Sequence, residues 1–276
     1  MTTASIAFIG GGNMATSLIA GLIADGYDTA AIRVVEPDDQ RRGELQARFG
    51  VRAFAAGADA IDGVEIVALC VKPQVAAAVC RDLAPALAAR RVLVISVMAG
   101  VREATLQRWL GAPLPVVRAM PNTPAMVQTG AIGLHASAEV DAAGRNHAET
   151  ILRAAGLTRW VDSETQIDAV TAISGSGPAY FLRFMEALEE AGVALGLDAE
   201  TARLLTVQTA LGAAKMAMES DETPARLRER VTSPGGTTAR ALAVFDGADL
   251  HDLVARAARA ARDRAAEIST ELEGQS

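Results

Sequence analysis

The chain has 276 residues, half of them apolar and 21% charged, which suits a pair of ordinary folded domains and excludes a disordered polyelectrolyte. Its 33 acidic residues outnumber the 26 basic ones for a formal charge of −7, and no basic cluster interleaves with aromatics, so nucleic acid is not expected as a partner. The cysteines, Cys70 and Cys80, have no CxxC spacing and no neighbouring histidine; they read as reduced, buried thiols, and no metal site is expected.

The first residues lack the basic segment and long apolar run of a secretion signal, which points to a cytoplasmic protein. A strand is expected at residues 6–9, running straight into Gly10, Gly11, Gly12, Asn13, Met14 and Ala15 and then into a helical pattern. This is a GxGxxA pattern in strand–turn–helix context. Gly10 allows the tight turn, Gly12 lets backbone approach a diphosphate, and Ala15 permits close helix–strand packing, with the helix amino end facing the anion. A second strand at 33–35 ends on Glu36, an acid placed to accept hydrogen bonds from an adenosine ribose. Arg33, Arg41 and Arg42 lie near enough in sequence for one of them to reach a 2′-phosphate instead.

Further strands are expected at 66–71, 92–97, 116–118, 131–134 and 158–161, alternating with amphipathic helices. The run at 92–97 is apolar on both faces, as a central parallel strand should be. Lys72 and Pro73 follow the strand that ends near Cys70, Met98, Ala99 and Gly100 follow the next, and Pro121, Asn122 and Pro124 follow the one after. Together these loops outline a cleft at the carboxyl edge of a sheet. The uncharged stretch 119–138 is interrupted by Pro121, Asn122, Pro124, Gln128 and Gly130, so it is not read as a membrane span. The alternation predicts an α/β Rossmann domain with a mainly parallel sheet over residues 1–163.

After Ser163 the pattern becomes helical, with helices expected at 166–173, 179–195, 199–218, 224–231, 239–245 and 250–272. Thr223 with Pro224 and Asp198 are helix starts, and Gly192 and Gly196 are read as a helix end. The last helix is amphipathic, with Leu253, Ala257, Ala260, Ala261, Arg264 and Ile268 along one side. Residues 164–276 thus form an all-α domain, and with no linker before it the halves are expected to pack directly, with the site at the seam. The loops 174–178 and 233–238 each begin a helix and offer free N–H groups that suit a carboxylate, aided in the second by the hydroxyls of Ser233, Thr237 and Thr238. None of His135, His147 and His251 sits in a motif, so they read as surface or packing residues.

The segments 167–180, 208–215 and 231–238, in this order and spacing, make the chain resemble the pyrroline-5-carboxylate reductases over essentially its whole length. The resemblance implies reduction of the small-molecule substrate 1-pyrroline-5-carboxylate to L-proline with NADP or NAD as cofactor. It also implies a helical substrate-binding and dimerisation domain at 164–276, and a homo-oligomer built from interlocked dimers. By the same resemblance Ser233 and the backbone of Gly235, Gly236 and Thr237 hold the substrate carboxylate, and Thr238, the expected catalytic residue, bonds the ring nitrogen. Gly10, Gly12, Asn13 and Met14 hold the pyrophosphate, while Cys70, Lys72, Pro73, Ala99, Gly100 and Asn122 flank the nicotinamide. Glu36 departs from relatives that use NADPH, which leaves NADH and NADPH both open. A β-hydroxyacid dehydrogenase shares the plan but needs a lysine in the helical half, where Lys215 is the only one, and has no counterpart of the 233–238 loop.

Overall fold

The computed structural model describes residues 3–88 and 90–274. These divide into two compact units, the first running to Ser176 and taking in the chain again from Ala260, the second being Gly177–Arg259. The break therefore lies past the 163/164 division expected from sequence, because the chain stays on the first unit through one more helical segment and returns to it at the end.

The first unit alternates short strands and helices in chain order: β1 (Ile6–Ile9), α1 (Asn13–Ala24), β2 (Ile32–Val35), α2 (Asp39–Phe49), β3 (Arg52–Phe54), α3 (Gly57–Ile61), β4 (Ile66–Leu69), α4 (Pro73–Leu87), β5 (Leu93–Ser96) and α5 (Glu103–Leu110). Then come β6 (Val116–Met120), β7 (Gly130–Ala136), α6 (Ala142–Arg153), β8 (Gly156–Trp160) and α7 (Gln166–Val170). The strands form one eight-stranded sheet in the order β3-β2-β1-β4-β5-β6-β7-β8. β1 to β6 run parallel, β7 is antiparallel to β6, and β8 is parallel to β7. The direction of winding reverses between β1 and β4, which is where open α/β sheets hold their ligands.

Both faces of the central strands are covered, which is why β1 and β4 are apolar throughout. On one face Ile6 and Phe8 pack with Leu18, Ile19 and Leu22 of α1; on the other Ile9, Val67 and Leu69 pack with Leu83, Leu106 and Trp109. β3 was not foreseen: it is three residues at the sheet edge, and Arg52 in it is exposed. The helix expected at 166–173 is shorter. Beyond Val170 the backbone widens into a π-helical turn, Thr171–Gly175, of the kind found where a helix is locally distorted.

The second unit holds α8 (Gly177–Ala194), α9 (Ala199–Glu219), α10 (Pro224–Arg230) and α11 (Thr237–Gly247), and α12 (Leu250–Glu273) begins in it. Its helix starts follow the sequence: Asp198 accepts from the Thr201 N–H, and Thr223 accepts from the Arg226 N–H ahead of Pro224. Gly192 does not end a helix as expected. It lies inside α8 at a close approach to Ala202 of α9, and Gly196, at φ +98°, takes the left-handed position after α8. No helix among the described residues is long and apolar enough to cross a membrane.

Candidate active site

Because β1, β2, β4, β5 and β6 are parallel, the loops that follow them all leave the same edge of the sheet. Those loops carry Gly10, Gly12, Glu36, Cys70, Lys72, Ala99, Gly100 and Asn122, so every residue expected at a dinucleotide lies on that edge. Gly10 sits at φ +99°, and a Cβ there would come within 2.9 Å of the Cys70 carbonyl oxygen; only glycine lets the β1 and β4 loops touch. Gly12 begins α1 without a side-chain cap, and a Cβ added to it would meet open space. The first-turn N–H groups of α1, beside exposed Asn13 and half-buried Met14, are thus without a capping side chain, an arrangement that fits a diphosphate.

Glu36 is turned into this loop. Its Oε2 accepts from the Gly11 N–H at 3.2 Å and its Oε1 from the Asp38 N–H at 3.1 Å. Arg41, from the first turn of α2, donates through Nε to the Gly11 carbonyl at 2.7 Å, and that nitrogen lies 3.9 Å from Glu36 Oε2. The acid and the base therefore flank the same glycine. Arg42 turns away, donating to the Glu36 carbonyl at 2.9 Å and pairing with Asp39, and Arg33 donates to the carbonyls of Ala60 and Asp62. Of the three arginines near Glu36 in sequence, Arg41 alone stands at the glycine loop.

At the β4 loop Lys72 is exposed in the position before α4, and Pro73 opens that helix, where its missing N–H is not needed. Burial pushes the Cys70 thiol up to about 12, so it stays protonated and acts as a wall. At the β5 loop Met98 is buried and Gly100 adopts φ +76°. At the β6 loop Asn122 is buried with both ends of its amide engaged, Nδ2 donating to the Ser174 carbonyl at 2.9 Å and Oδ1 accepting from the Ala131 N–H at 3.0 Å. Its side chain ties the loop to the π-helical turn.

In the second unit the loop 233–238 ends in Gly236, which begins α11 at φ −76° and ψ 174° with no side-chain cap. Gly235 is left-handed at φ +72°, and the Gly236 N–H closes a turn on the Ser233 carbonyl at 3.0 Å. Ser233, Thr237 and Thr238 are exposed around the amino end of that helix. The arrangement presents backbone donors and hydroxyls together, which suits a small carboxylate.

Sequence reasoning missed a buried charge cluster behind the sheet edge. Arg118, on β6 and 3% exposed, donates to Glu164 Oε1 at 2.7 Å, and the same oxygen accepts from the Glu103 N–H at the start of α5. His135 is the cross-strand partner of Arg118, and its Nδ1 is buried without a hydrogen bond. Burial lowers the His135 imidazole and raises the Asp168 and Glu103 carboxyls. An arginine in the apolar run of β6 was the available signal. Among the described residues no group of three or more His, Cys, Asp or Glu is placed to hold a metal.

Residues 164–268 match the family described as pyrroline-5-carboxylate reductase dimerisation, and residues 5–100 match that described as NADP oxidoreductase coenzyme F420-dependent. The chain is 50% identical to pyrroline-5-carboxylate reductase of Pseudomonas aeruginosa over 272 residues, 99% of each chain. Among solved structures, a pyrroline-5-carboxylate reductase from Coxiella burnetii superposes with a TM-score of 0.94 at 46% identity, covering 97% of this chain and 99% of that one. The Plasmodium falciparum pyrroline carboxylate reductase with NADP bound gives 0.84 at 27% identity, covering 98% and 99%. More distant likenesses, such as a 3-hydroxyisobutyrate dehydrogenase from Mycobacterium tuberculosis at 17% identity and a TM-score of 0.52, share the fold alone. With half its residues shared with one such enzyme along nearly the whole of both chains, the chain belongs to the pyrroline-5-carboxylate reductase family.

Proposed function

We propose that this protein catalyses the NAD(P)H-dependent reduction of 1-pyrroline-5-carboxylate to L-proline, the last step of proline biosynthesis. What carries the reading is the pair of helix starts at Gly12 and Gly236, each a glycine without a side-chain cap, in a chain of this family. One suits a diphosphate and the other a small carboxylate. In this reading residues 1–163 hold the dinucleotide and residues 164–276 serve the substrate and the pairing of subunits.

Gly10, Gly12, Asn13 and Met14 take the pyrophosphate through the first turn of α1. Glu36 takes the adenosine ribose, its carboxylate already held at the Gly11 N–H. Cys70, Lys72, Pro73, Ala99, Gly100 and Asn122 form the nicotinamide end. Reduced nicotinamide, when bound, supplies the hydride for the C=N carbon, and the ring nitrogen takes up one proton. Ser233, Gly235, Gly236 and Thr237 hold the carboxylate. Thr238 orients the ring nitrogen and passes it a proton through water, since a hydroxyl is too weak an acid to donate outright. Protonated imine accepts hydride better than neutral imine, so a site that holds the cation lowers the barrier.

Two copies pair, as an interlocked dimer, through the second unit. Phe181, Leu182, Leu204, Leu205, Leu211 and Val244 are exposed on its helices in a single chain, more apolar surface than an isolated domain leaves in water. The unpaired thiols Cys70 and Cys80 agree with a cytoplasmic setting. A net charge of −7 disfavours a nucleic-acid partner. The test is oxidation of NADH and of NADPH in the presence of the five-carbon and the six-carbon cyclic imine carboxylates. Turnover of the five-carbon ring is expected; none with either dinucleotide refutes the assignment.

A further inference from the structure

The last part of α12 belongs to the first unit, and it lies against one specific point there. A Cβ on Gly100 would stand 2.6 Å from Ile268 Cγ2 and 3.4 Å from Leu272 Cδ1, so the helix rests directly on the backbone of the β5 loop. Leu272 and Ser269 are buried and Ile268 packs against the core beneath the same face of the sheet. The end of the helix is clamped as well. Arg108 of α5 donates to the Glu273 carbonyl at 3.1 Å, which satisfies one of the last free carbonyls, and Arg102 Nη1 lies 3.4 Å from Glu273 Oε1. Arg102 directly precedes α5, two residues after Gly100, so the loop and the helix that follows it are both tied to α12.

We propose that residues 260–273 of α12 are a strut that positions the β5 loop, with Ile268 the positioning residue that sets where Ala99 and Gly100 stand. This rests on the reading that those two residues wall the nicotinamide end of the cleft. Neither Ile268 nor Leu272 reaches a reacting atom; each acts through Gly100. The left-handed Gly100 has no side chain to hold its own place, so the apolar surface behind it decides how far the loop can retreat. Hydride transfer is steep in donor–acceptor distance, and a displacement of about 1 Å costs up to a hundredfold in rate.

The test compares Ile268→Ala with Ile268→Val in the full-length protein, using fluorescence titration with NADH, titration with ADP-ribose, which lacks nicotinamide, and steady-state kinetics. For Ile268→Ala, kcat is expected to fall about five- to fiftyfold and NADH affinity about threefold, with ADP-ribose affinity unchanged. Ile268→Val, which keeps the Cγ2 methyl at the contact, is expected to recover kcat to within about threefold of the parent. Equal weakening of NADH and ADP-ribose, or a folded Ile268→Ala with parental kcat, overturns the proposal. If Ile268→Ala does not fold, Leu272→Ala, which removes the other contact to Gly100, takes its place, and a parental NADH to ADP-ribose affinity ratio and kcat in that variant overturn the proposal. The affinity ratio needs no turnover, so a failure of the assigned reaction, seen as an inactive parent, stays distinct from a failure of the strut.

Discussion

Asn122 reaches 52 residues along the chain to the carbonyl of Ser174, donating at 2.9 Å while its other amide atom accepts from Ala131 at 3.0 Å. The acceptor lies in the π-helical turn, so the side chain of Asn122 bridges the loop after β6 to that turn. Asn122→Ala removes two buried hydrogen bonds and leaves backbone groups without partners, a loss of about 2–4 kcal/mol. Denaturant midpoints of parent and variant measure it. A difference under about 0.5 kcal/mol would mean that water replaces the bridge at no cost.

The ion pair between Arg118 and Glu164 makes a second prediction. Arg118 is almost wholly buried and its guanidinium is paired with Glu164, which also holds the first N–H of α5. Removing the carboxylate in Glu164→Gln strands a buried guanidinium and should lower stability by about 3 kcal/mol. Replacing both, as Arg118→Met with Glu164→Leu, should recover most of that, since the attraction in a buried pair is largely offset by the cost of desolvating its two charges. Thermal denaturation of the single and double variants decides it: a double variant no more stable than the single one sinks this account.

Glu36 and Arg41 stand on either side of Gly11, and in the proposed reading the balance between them sets dinucleotide preference. The carboxylate repels a 2′-phosphate; the guanidinium attracts one. With Glu36 in place, NADH should serve at least comparably to NADPH. Glu36→Ser leaves Arg41 beside the ribose unopposed and should raise the ratio of kcat/KM for NADPH over NADH about tenfold or more. The ratio from steady-state kinetics is the readout, and an unchanged ratio would place the selectivity elsewhere.

How much of this was legible from sequence depends on how local each cause is. β1, β4 and β5 stood out because strands covered on both faces are almost wholly apolar, whereas β3 has three residues and an exposed Arg52. The reversal of β7 was not legible, since strand direction follows from the path of the 3-10 turn Thr123–Val127 and leaves no periodicity of its own. The glycine loops at Gly10 and Gly235 were visible because left-handed backbone needs glycine. The docking of α12 was only half visible. Periodicity placed Arg264 on the side of Ile268, yet Arg264 is exposed and bonded to Glu267 and Glu271, while Ala265, Ser269 and Leu272 are buried. Which face of an amphipathic helix is covered depends on what lies against it, and that is tertiary information.

Thr238 lies exposed in the first turn of α11, beside the loop proposed to hold the substrate carboxylate. If its hydroxyl orients the imine nitrogen, Thr238→Ala should lower kcat by a few-fold to about a hundredfold while dinucleotide affinity holds. Thr238→Ser, which keeps the hydroxyl, should keep most of the rate. Parental turnover in Thr238→Ala removes the residue from the mechanism.

Tyr27 gives the fold an alkaline limit of its own. Its hydroxyl donates to the Ala4 carbonyl at 2.5 Å, and burial, with the Glu65 carboxylate adding to it, pushes its pKa from 10.0 up to about 12. In the unfolded chain the phenol ionises near its ordinary value, so the folded state binds the proton more tightly. The resulting stability is whole below about pH 10 and is lost as the pH climbs through about 12. Tyr27→Phe lacks both the hydrogen bond and the titration. It should be less stable than the parent by about 1 kcal/mol near neutrality, and the gap should close between about pH 10 and 12. Melting temperatures of the two proteins across that range test the sign: a gap that widens with pH would mean that the phenol ionises more easily folded than unfolded, which its burial against Ala4 forbids.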